Sequence, residues 1–288
     1  MTVTAESDNH LDGATRVVLL GTGTPNADPA RSGPAVAVVV NDQAYLVDFG
    51  PGVVRRAAAA AERGIDALAP QRINVAFLTH LHSDHTAGYP DLLLTPWVLG
   101  RAAPLQVYGP PGLSAMTSHL LAAYQADISE RIDGLEPANA TGWQVDAHEV
   151  AAGLVFVDDH VRVEALPARH GAWPAFSYRL TTADRTVVIS GDSAPHDQML
   201  ANYVNCDLLV HEVYSAAGFA RRPASWQNYH AAVHISTREL ARVAAVVRPG
   251  LLVLYHQLFW GETPDSLLAE IAEVYDGPVV CGNDLDVF

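Results

Sequence analysis

Lysine is absent from this chain of 288 residues, so all 17 basic side chains are arginine, and against 32 acidic residues they leave a formal charge of −15. Such a chain repels polyphosphate, because sequence-independent affinity for nucleic acid comes from basic side chains that neutralise phosphates. Nucleic acid is therefore not the expected partner. Cysteine is scarce: Cys206 and Cys281 are too few for a disulfide framework and lack the CxxC spacing of a thiolate zinc site. A reducing, cytoplasmic setting is the expectation. No apolar run approaches the ~18 residues of a membrane span, and the first fifteen residues are too polar for a secretory signal. Internal repeats and Pro/Gly/Ser-rich linkers are missing as well, so residues 1–288 read as one domain with residues 1–15 as a polar extension.

What is present alternates between strand and helix. Val17 to Leu20 is an apolar run that stops at Gly21-Thr22-Gly23-Thr24-Pro25, a tight turn without the later glycine and lysine of a phosphate loop. Ala35 to Val40 and Ala44 to Asp48 flank Asn41-Asp42 and predict a hairpin, followed by a helix from Val53 to Arg63. Further strands are expected at Ile73 to Leu78 and Leu105 to Tyr108, with helices at Gly88 to Leu99 and Leu113 to Ala126. Short strands from Trp143 to Ser190 predict a second sheet, extended by Leu208 to Val210 and Leu251 to Tyr255, with helices at Thr237 to Val247 and Asp265 to Tyr275. Two sheets packed together with helices outside are the expected arrangement.

The sharpest feature is Thr79-His80-Leu81-His82-Ser83-Asp84-His85, which follows a buried strand. Imidazole nitrogen and carboxylate oxygen are donors for borderline cations such as zinc, and a loop lets alternate side chains converge where a straight strand would splay them. A solvated polar loop would favour Asn, Ser and Glu over three clustered histidines. Donors for a second cation exist at other strand ends: His170 after Pro167-Ala168-Arg169, Asp192 in Ser190-Gly191-Asp192-Ser193, and His256 after Leu251-Leu252-Val253-Leu254-Tyr255.

His80, His82, Asp84 and His85 match the HxHxDH hallmark of the metallo-β-lactamase superfamily, and the order of cluster, His170, Asp192 and His256 is similar to that family's ligand order. The resemblance extends from Gly21-Thr22-Gly23-Thr24 through Tyr45-Leu46-Val47-Asp48-Phe49-Gly50 to the C-terminus. It implies an α/β fold, the four-layer αβ/βα sandwich, with two divalent ions: zinc is expected, with Mn²⁺ or Fe²⁺ as alternatives. His80, His82 and His170 would hold one ion and Asp84, His85 and His256 the other, with Asp192 bridging and Asp84 counted among the catalytic groups.

Leu209-Val210-His211-Glu212 and His234-Ile235-Ser236-Thr237 resemble signatures of the ribonuclease Z and arylsulfatase branch. There the acidic residue orients the histidine, so Glu212 and His234 would form a proton-donating pair, a sound role for a side chain that charges near neutral pH. His211 is expected as a supporting or core residue. His10, His119, His148, His160, His196 and His230 are expected at the surface or as structural residues, and Trp173 and Trp260 near the site.

The implied chemistry is hydrolysis by a hydroxide bridging two cations. Processing nucleases of the branch carry a Gly- and basic-rich arm, whereas Asp127 to Gly142 here holds only Arg131 against Asp127, Glu130, Asp133 and Glu136. A small ester is therefore the expected substrate: a phosphodiester, phosphotriester or aryl sulfate. The alternatives are a ribonuclease Z-type tRNA 3′ endonuclease or a lactone or carboxylic ester hydrolase. A non-catalytic metal binder is disfavoured by the Glu212 and His234 pair. A homodimer is expected through Leu92, Leu93, Leu94, Trp97 and Val98.

Overall fold

A computed structural model describes residues 15–288, so His10 and all but the last residue of the polar extension lie outside it. The first sheet runs in chain order: β1 (Arg16–Gly21), β2 (Ala35–Val40), β3 (Gln43–Val47), β4 (Val75–Phe77), β5 (Leu105–Gly109) and β6 (Val145–Glu149). The first three strands form an antiparallel meander and the last three continue it in parallel. The second sheet contains β7 (Gly153–Val157), β8 (Arg162–Pro167), β9 (Phe176–Thr181), β10 (Thr186–Ile189), β11 (Leu208–Tyr214), β12 (Leu251–Leu258) and β13 (Val279–Cys281). It too is antiparallel from β7 to β10 and parallel from β10 to β13.

Helices α1 (Val53–Glu62), α2 (Ser83–Thr86), α3 (Tyr89–Val98), α4 (Leu113–Ala123) and α5 (Gln125–Asp133) belong to the first half. The second half carries α6 (Met199–Tyr203), α7 (Ala216–Ala220), α8 (Ala224–Val233), α9 (Thr237–Val247) and α10 (Pro264–Ala272).

Strand periodicity sets the layers. Successive side chains point to opposite faces, so Val36, Val38 and Val40 of β2 meet Val163, Tyr178, Val187 and Val210 between the sheets. Ala35, Ala37 and Val39 of the same strand turn outward to Val53, Ala57 and Leu92 under the helices. On the far side, Val188, Leu209 and Leu252 pack against Leu240, Ala244 and Ile271. Because both faces of the central strands are covered, they read as continuous apolar runs rather than alternating ones. The result is the expected four-layer sandwich.

Three expectations need correction. Trp143 to Glu149 supplies β6, which pairs with β5 in the first sheet rather than the second. Periodicity on one strand cannot tell which sheet it joins. The helix expected from Leu113 to Ala126 breaks at Tyr124, and α5 begins directly after it and runs to Asp133. The proposed dimer helix spends its apolar face internally: Leu92, Leu93 and Trp97 are buried in the chain's own core, and the Trp97 indole donates to the Asn139 carbonyl at 2.8 Å. Only Val98 and Leu99 at its end are exposed.

Candidate metal centre and its cavity

The cluster follows β4, a parallel strand, and open α/β sheets present ligand sites at such carboxyl ends. His82 is extended and caps α2, whose single turn carries Asp84 and His85. This switch from strand to helix aims His80, His82, Asp84 and His85 at one volume. The second sheet supplies the rest. His170 follows β8 in a tight turn, with the Trp173 amide donating to the His170 carbonyl at 3.1 Å. Asp192 follows β10 through Gly191, whose φ of +57° is in the left-handed region and where a Cβ would come within 2.7 Å of Thr79. His256 sits within β12 at a φ of 45°, a conformation rare outside glycine and frequent at functional sites.

Together these residues form groups whose donor atoms lie within 4.8 Å of one another: His80, His82, His170 and Asp192; Asp84, His85 and His256; and Asp192, His234 and His256. His82 Nδ1 lies 3.0 Å from His170 Nε2, and His256 Nε2 lies 3.2 Å from Asp84 Oδ2. Asp192 stands between the groups, 3.7 Å from His80, 3.4 Å from His85 and 3.6 Å from His256. His80 Nε2, His85 Nε2 and Asp192 Oδ1 are buried without a hydrogen-bond partner. Buried polar groups are ordinarily satisfied, and donors of these types converging in this way suit divalent metal ions.

The outward nitrogens are fixed from behind. His85 Nδ1 is 2.7 Å from Asp48, and Asp48 also accepts from the Thr79 amide and hydroxyl. Thr79 Oγ1 in turn lies 3.0 Å from His80 Nδ1, and His170 Nδ1 donates to the Val233 carbonyl at 2.9 Å. Such partners set tautomer and ring orientation in metal sites. Burial lowers the pKa of His80 and His82 and pushes that of His170 to about 4, which keeps their lone pairs available. Burial also opposes charge on Asp192, yet the imidazoles of His256 and His85 hold its carboxyl well below the usual range.

His234 ends α8 beside the cluster, its Nδ1 3.4 Å from Glu212 Oε2 and 3.8 Å from Asp192. Glu212 is itself fixed, accepting from the Ser193 and Ile235 amides. Burial disfavours the imidazolium, but Glu212 and Asp192 outweigh it and raise the His234 pKa above its ordinary value. His211 is fully buried, its Nδ1 donating to the Glu212 carbonyl.

A cavity of about 560 Å³ opens onto this centre, and its lining includes His82, Asp84, Asp192 and His234 together with Arg222, Trp226, Tyr229, His230 and Trp260. Trp260 thus lies where it was expected. Trp173 stands against the His82 ring at 4.6 Å and is nearly half exposed. His230, expected as a surface or structural residue, instead faces this cavity. The remaining histidines stay outside it: His119 and His148 are exposed, and His160 and His196 half-buried. Sequence reasoning also missed Asp48, a lone carboxylate after a strand, and Arg222, Trp226 and Tyr229. A signal for two of these existed: Arg222 and Trp226 recur with His230 and His234 at a four-residue spacing, that of one helix face.

Comparison with known proteins gives consistent results. Residues 43–257 match the model of the β-lactamase superfamily domain. The chain is 34% identical over 275 residues to Ribonuclease Z of Mycobacterium bovis (strain BCG / Pasteur 1173P2), covering 93% of this chain and 96% of that one. It is 36% identical over 245 residues to Ribonuclease Z of Mycobacterium sp. (strain KMS), covering 84% of each. Among solved structures, the metallo-β-lactamase fold protein YhfI of Bacillus subtilis superimposes with a TM-score of 0.73 at 19% identity, covering 95% of this chain and 98% of that one. The short form of human tRNase Z gives 0.71 at 22%, with the same coverage. No helix among the described residues is long and apolar enough to cross a membrane. The chain belongs to the β-lactamase superfamily, in its ribonuclease Z branch.

Proposed function

We propose that this chain, a metal-dependent hydrolase of ester bonds, cuts a phosphodiester of RNA, in the manner of the ribonucleases Z to which it is similar. The observation that carries this reading is the Glu212 and His234 pair beside the clustered donors, since a proton donor next to a metal centre suits the release of an alkoxide. His80, His82 and His170 would hold one divalent ion and Asp84, His85 and His256 the other, with Asp192 shared. Their support is the convergence of unpartnered buried nitrogens and oxygen described above. When bound, two such ions supply Lewis acidity at the scissile phosphate and a water acidic enough to ionise near neutral pH.

The chain's own residues do the rest. Asp48 and Thr79 hold the imidazoles of His85 and His80 in register. Glu212, locked by two backbone amides, keeps the His234 ring oriented and favours its protonated form, so that His234 can deliver a proton to the departing oxygen. The buried surroundings limit water around these groups and strengthen each interaction.

Net charge alone favours a small ester, and the relatives turn that expectation toward RNA. One observation still speaks for the small ester: α5 carries Arg131 already paired with Asp127 and Glu136, so its one base is not free to grip a phosphate backbone. The test is cleavage of precursor tRNA and of bis(4-nitrophenyl) phosphate by the metal-loaded protein at physiological salt. Efficient cutting at the 3′ side of the acceptor stem supports the proposal. Turnover of the nitrophenyl ester without any RNA cleavage overturns it in favour of the small ester.

A further inference from the structure

The part of the cavity lining beyond His234 has a chemistry of its own. Trp226 and His230 lie one helical turn apart on α8, their rings 5.5 Å apart and close to parallel, and Trp260 stands 4.5 Å from His230. The Arg222 guanidinium is 5.6 Å from the Trp226 ring centre and 5.4 Å from that of Trp260, within cation–π range of both indoles. His230 in turn is 5.6 Å from His234, so the wall runs without interruption from the proton donor to the guanidinium.

Several features mark this wall as more than packing. Arg222 is the only arginine lining the cavity, and among the described residues it pairs with no carboxylate, although the neighbouring Arg221 is matched to Glu262 at 2.7 Å. Its Nε is buried without a partner, and so is Nδ1 of His230, a side chain more than nine-tenths buried. Trp226 and Tyr229 are nearly half exposed despite their size. Trp260 presents its indole from a left-handed backbone, φ 47°, which a bulky residue adopts only when its surroundings impose it. Exposed aromatic faces beside an unpaired guanidinium are the elements with which proteins hold unpaired bases and their phosphates.

We infer that Arg222, Trp226, Tyr229, His230 and Trp260 form a nucleotide subsite, in which an unpaired base next to the scissile bond stacks on Trp226, the Tyr229 ring standing 5.9 Å away at 85° beside it, and the phosphate beyond it is held by Arg222. This deepens the proposed RNA phosphodiesterase reading and rests on it. Its consequence is selectivity: the nucleotide beside the cut must be unpaired to reach the wall, and a substrate with an outer phosphate outcompetes one without.

The test compares the dinucleotide ApA with pApA and ApAp, which add a phosphate at one end or the other, using the metal-loaded protein. One of the two phosphorylated forms is expected to have a kcat/KM at least about ten-fold above ApA, the usual worth of one well-placed charged contact. Arg222→Ala should erase that advantage, whereas Arg222→Lys, which keeps the charge, should retain part of it. Trp226→Ala should lower kcat/KM on all three substrates by roughly ten-fold, in line with the loss of one stacked base. Calorimetric binding of adenosine 3′,5′-bisphosphate supplies a readout independent of turnover and should weaken about ten-fold in both alanine variants.

For Arg222→Ala, equal losses with and without the outer phosphate, or unchanged bisphosphate binding, overturn the subsite while leaving the phosphodiesterase reading intact. If no phosphodiester is cleaved but the bisphosphate binds in an Arg222-dependent manner, the phosphodiesterase reading falls and the nucleotide subsite stands. Efficient cleavage of bis(4-nitrophenyl) phosphate alone, with no bisphosphate binding, overturns both.

Discussion

The two walls of the cavity are built on opposite principles. On the metal side all the donors but His82 are buried, His80, His85 and His170 are backed by a second residue, and segments of both sheets deliver them, so elements of both halves fix the geometry. On the aromatic side the residues come from the α7–α8 segment and the loop after β12, two large rings are nearly half exposed, and polar atoms of Arg222 and His230 lack partners. Under the nucleotide-subsite proposal, the contrast is one of rigidity for chemistry against adaptability for substrate. Metal ions demand fixed donors at fixed distances, while bases of differing shape are accommodated by stacking surfaces that discriminate little.

The strongest way to break this contrast is Asp192→Ala. Because Asp192 stands between the two donor groups, its loss should release both ions and abolish turnover. Elemental analysis should fall from about two ions per chain to less than one, the wild-type figure being what two sets of donors would hold. Two ions retained in the variant would show that the metal wall does not depend on its shared carboxylate.

His234→Ala should keep the metal and lower kcat by roughly 10²- to 10⁴-fold, the span of a positioned proton donor. The loss should be greater for an alkoxide leaving group than for nitrophenoxide, which is stable as an anion. The sign of the pH dependence follows from the raised pKa of His234. Its charged form is fully present at lower pH and is lost as pH rises through that pKa, so the wild-type rate should carry an alkaline limb that the variant lacks. Equal losses on both ester types would make His234 a positioning residue.

Asp48→Asn should leave the cavity intact but weaken metal binding by about 10- to 100-fold, as for other residues that orient a ligand histidine. Competition with a chelator measures this. Unchanged affinity would mean that β3 contributes nothing to the rigidity of the metal wall.

The smallest effect is expected at Glu270 of α10, which ties the opening of α7 to α9 by accepting from the Ser215 hydroxyl, the Ala216 and Ala217 amides and Thr237. Burial opposes its charge, but these hydrogen bonds outweigh it and hold its pKa below the ordinary carboxylate value. The stabilisation is therefore present above the unfolded-state pKa and is lost as pH falls through the folded one. Glu270→Gln should cost about 1–3 kcal/mol, the range for disturbing a buried hydrogen-bonded group. The loss should show as a lower Tm at neutral pH and narrow toward acid, with metal content unchanged.

Much of the metal wall was legible without coordinates. His80, His82, Asp84 and His85 are adjacent in the chain, and His170, Asp192 and His256 each end an apolar run, so local signals sufficed to bring all seven under one hypothesis. The pairing of Glu212 with His234 was legible only through resemblance to the ribonuclease Z branch, since 21 residues separate them. Strand positions survived almost throughout because burial on both faces leaves an apolar run that polar flanks interrupt. Membership of β6 in the first sheet did not, because strand pairing is a long-range choice that a run of apolar residues does not encode. Nor did the aromatic wall: His230 resembles any helix-end histidine, Trp226 any residue of a surface helix and Arg222 any residue of a turn, until the turn after β12 brings Trp260 against them. Sequence by itself determined which atoms could bind a metal, since donor chemistry and strand-end spacing are properties of short segments. Tertiary structure alone decided what shares the cavity with those donors, because the meeting of Trp260, after β12, with Arg222 and His230 depends on packing between elements distant in the chain.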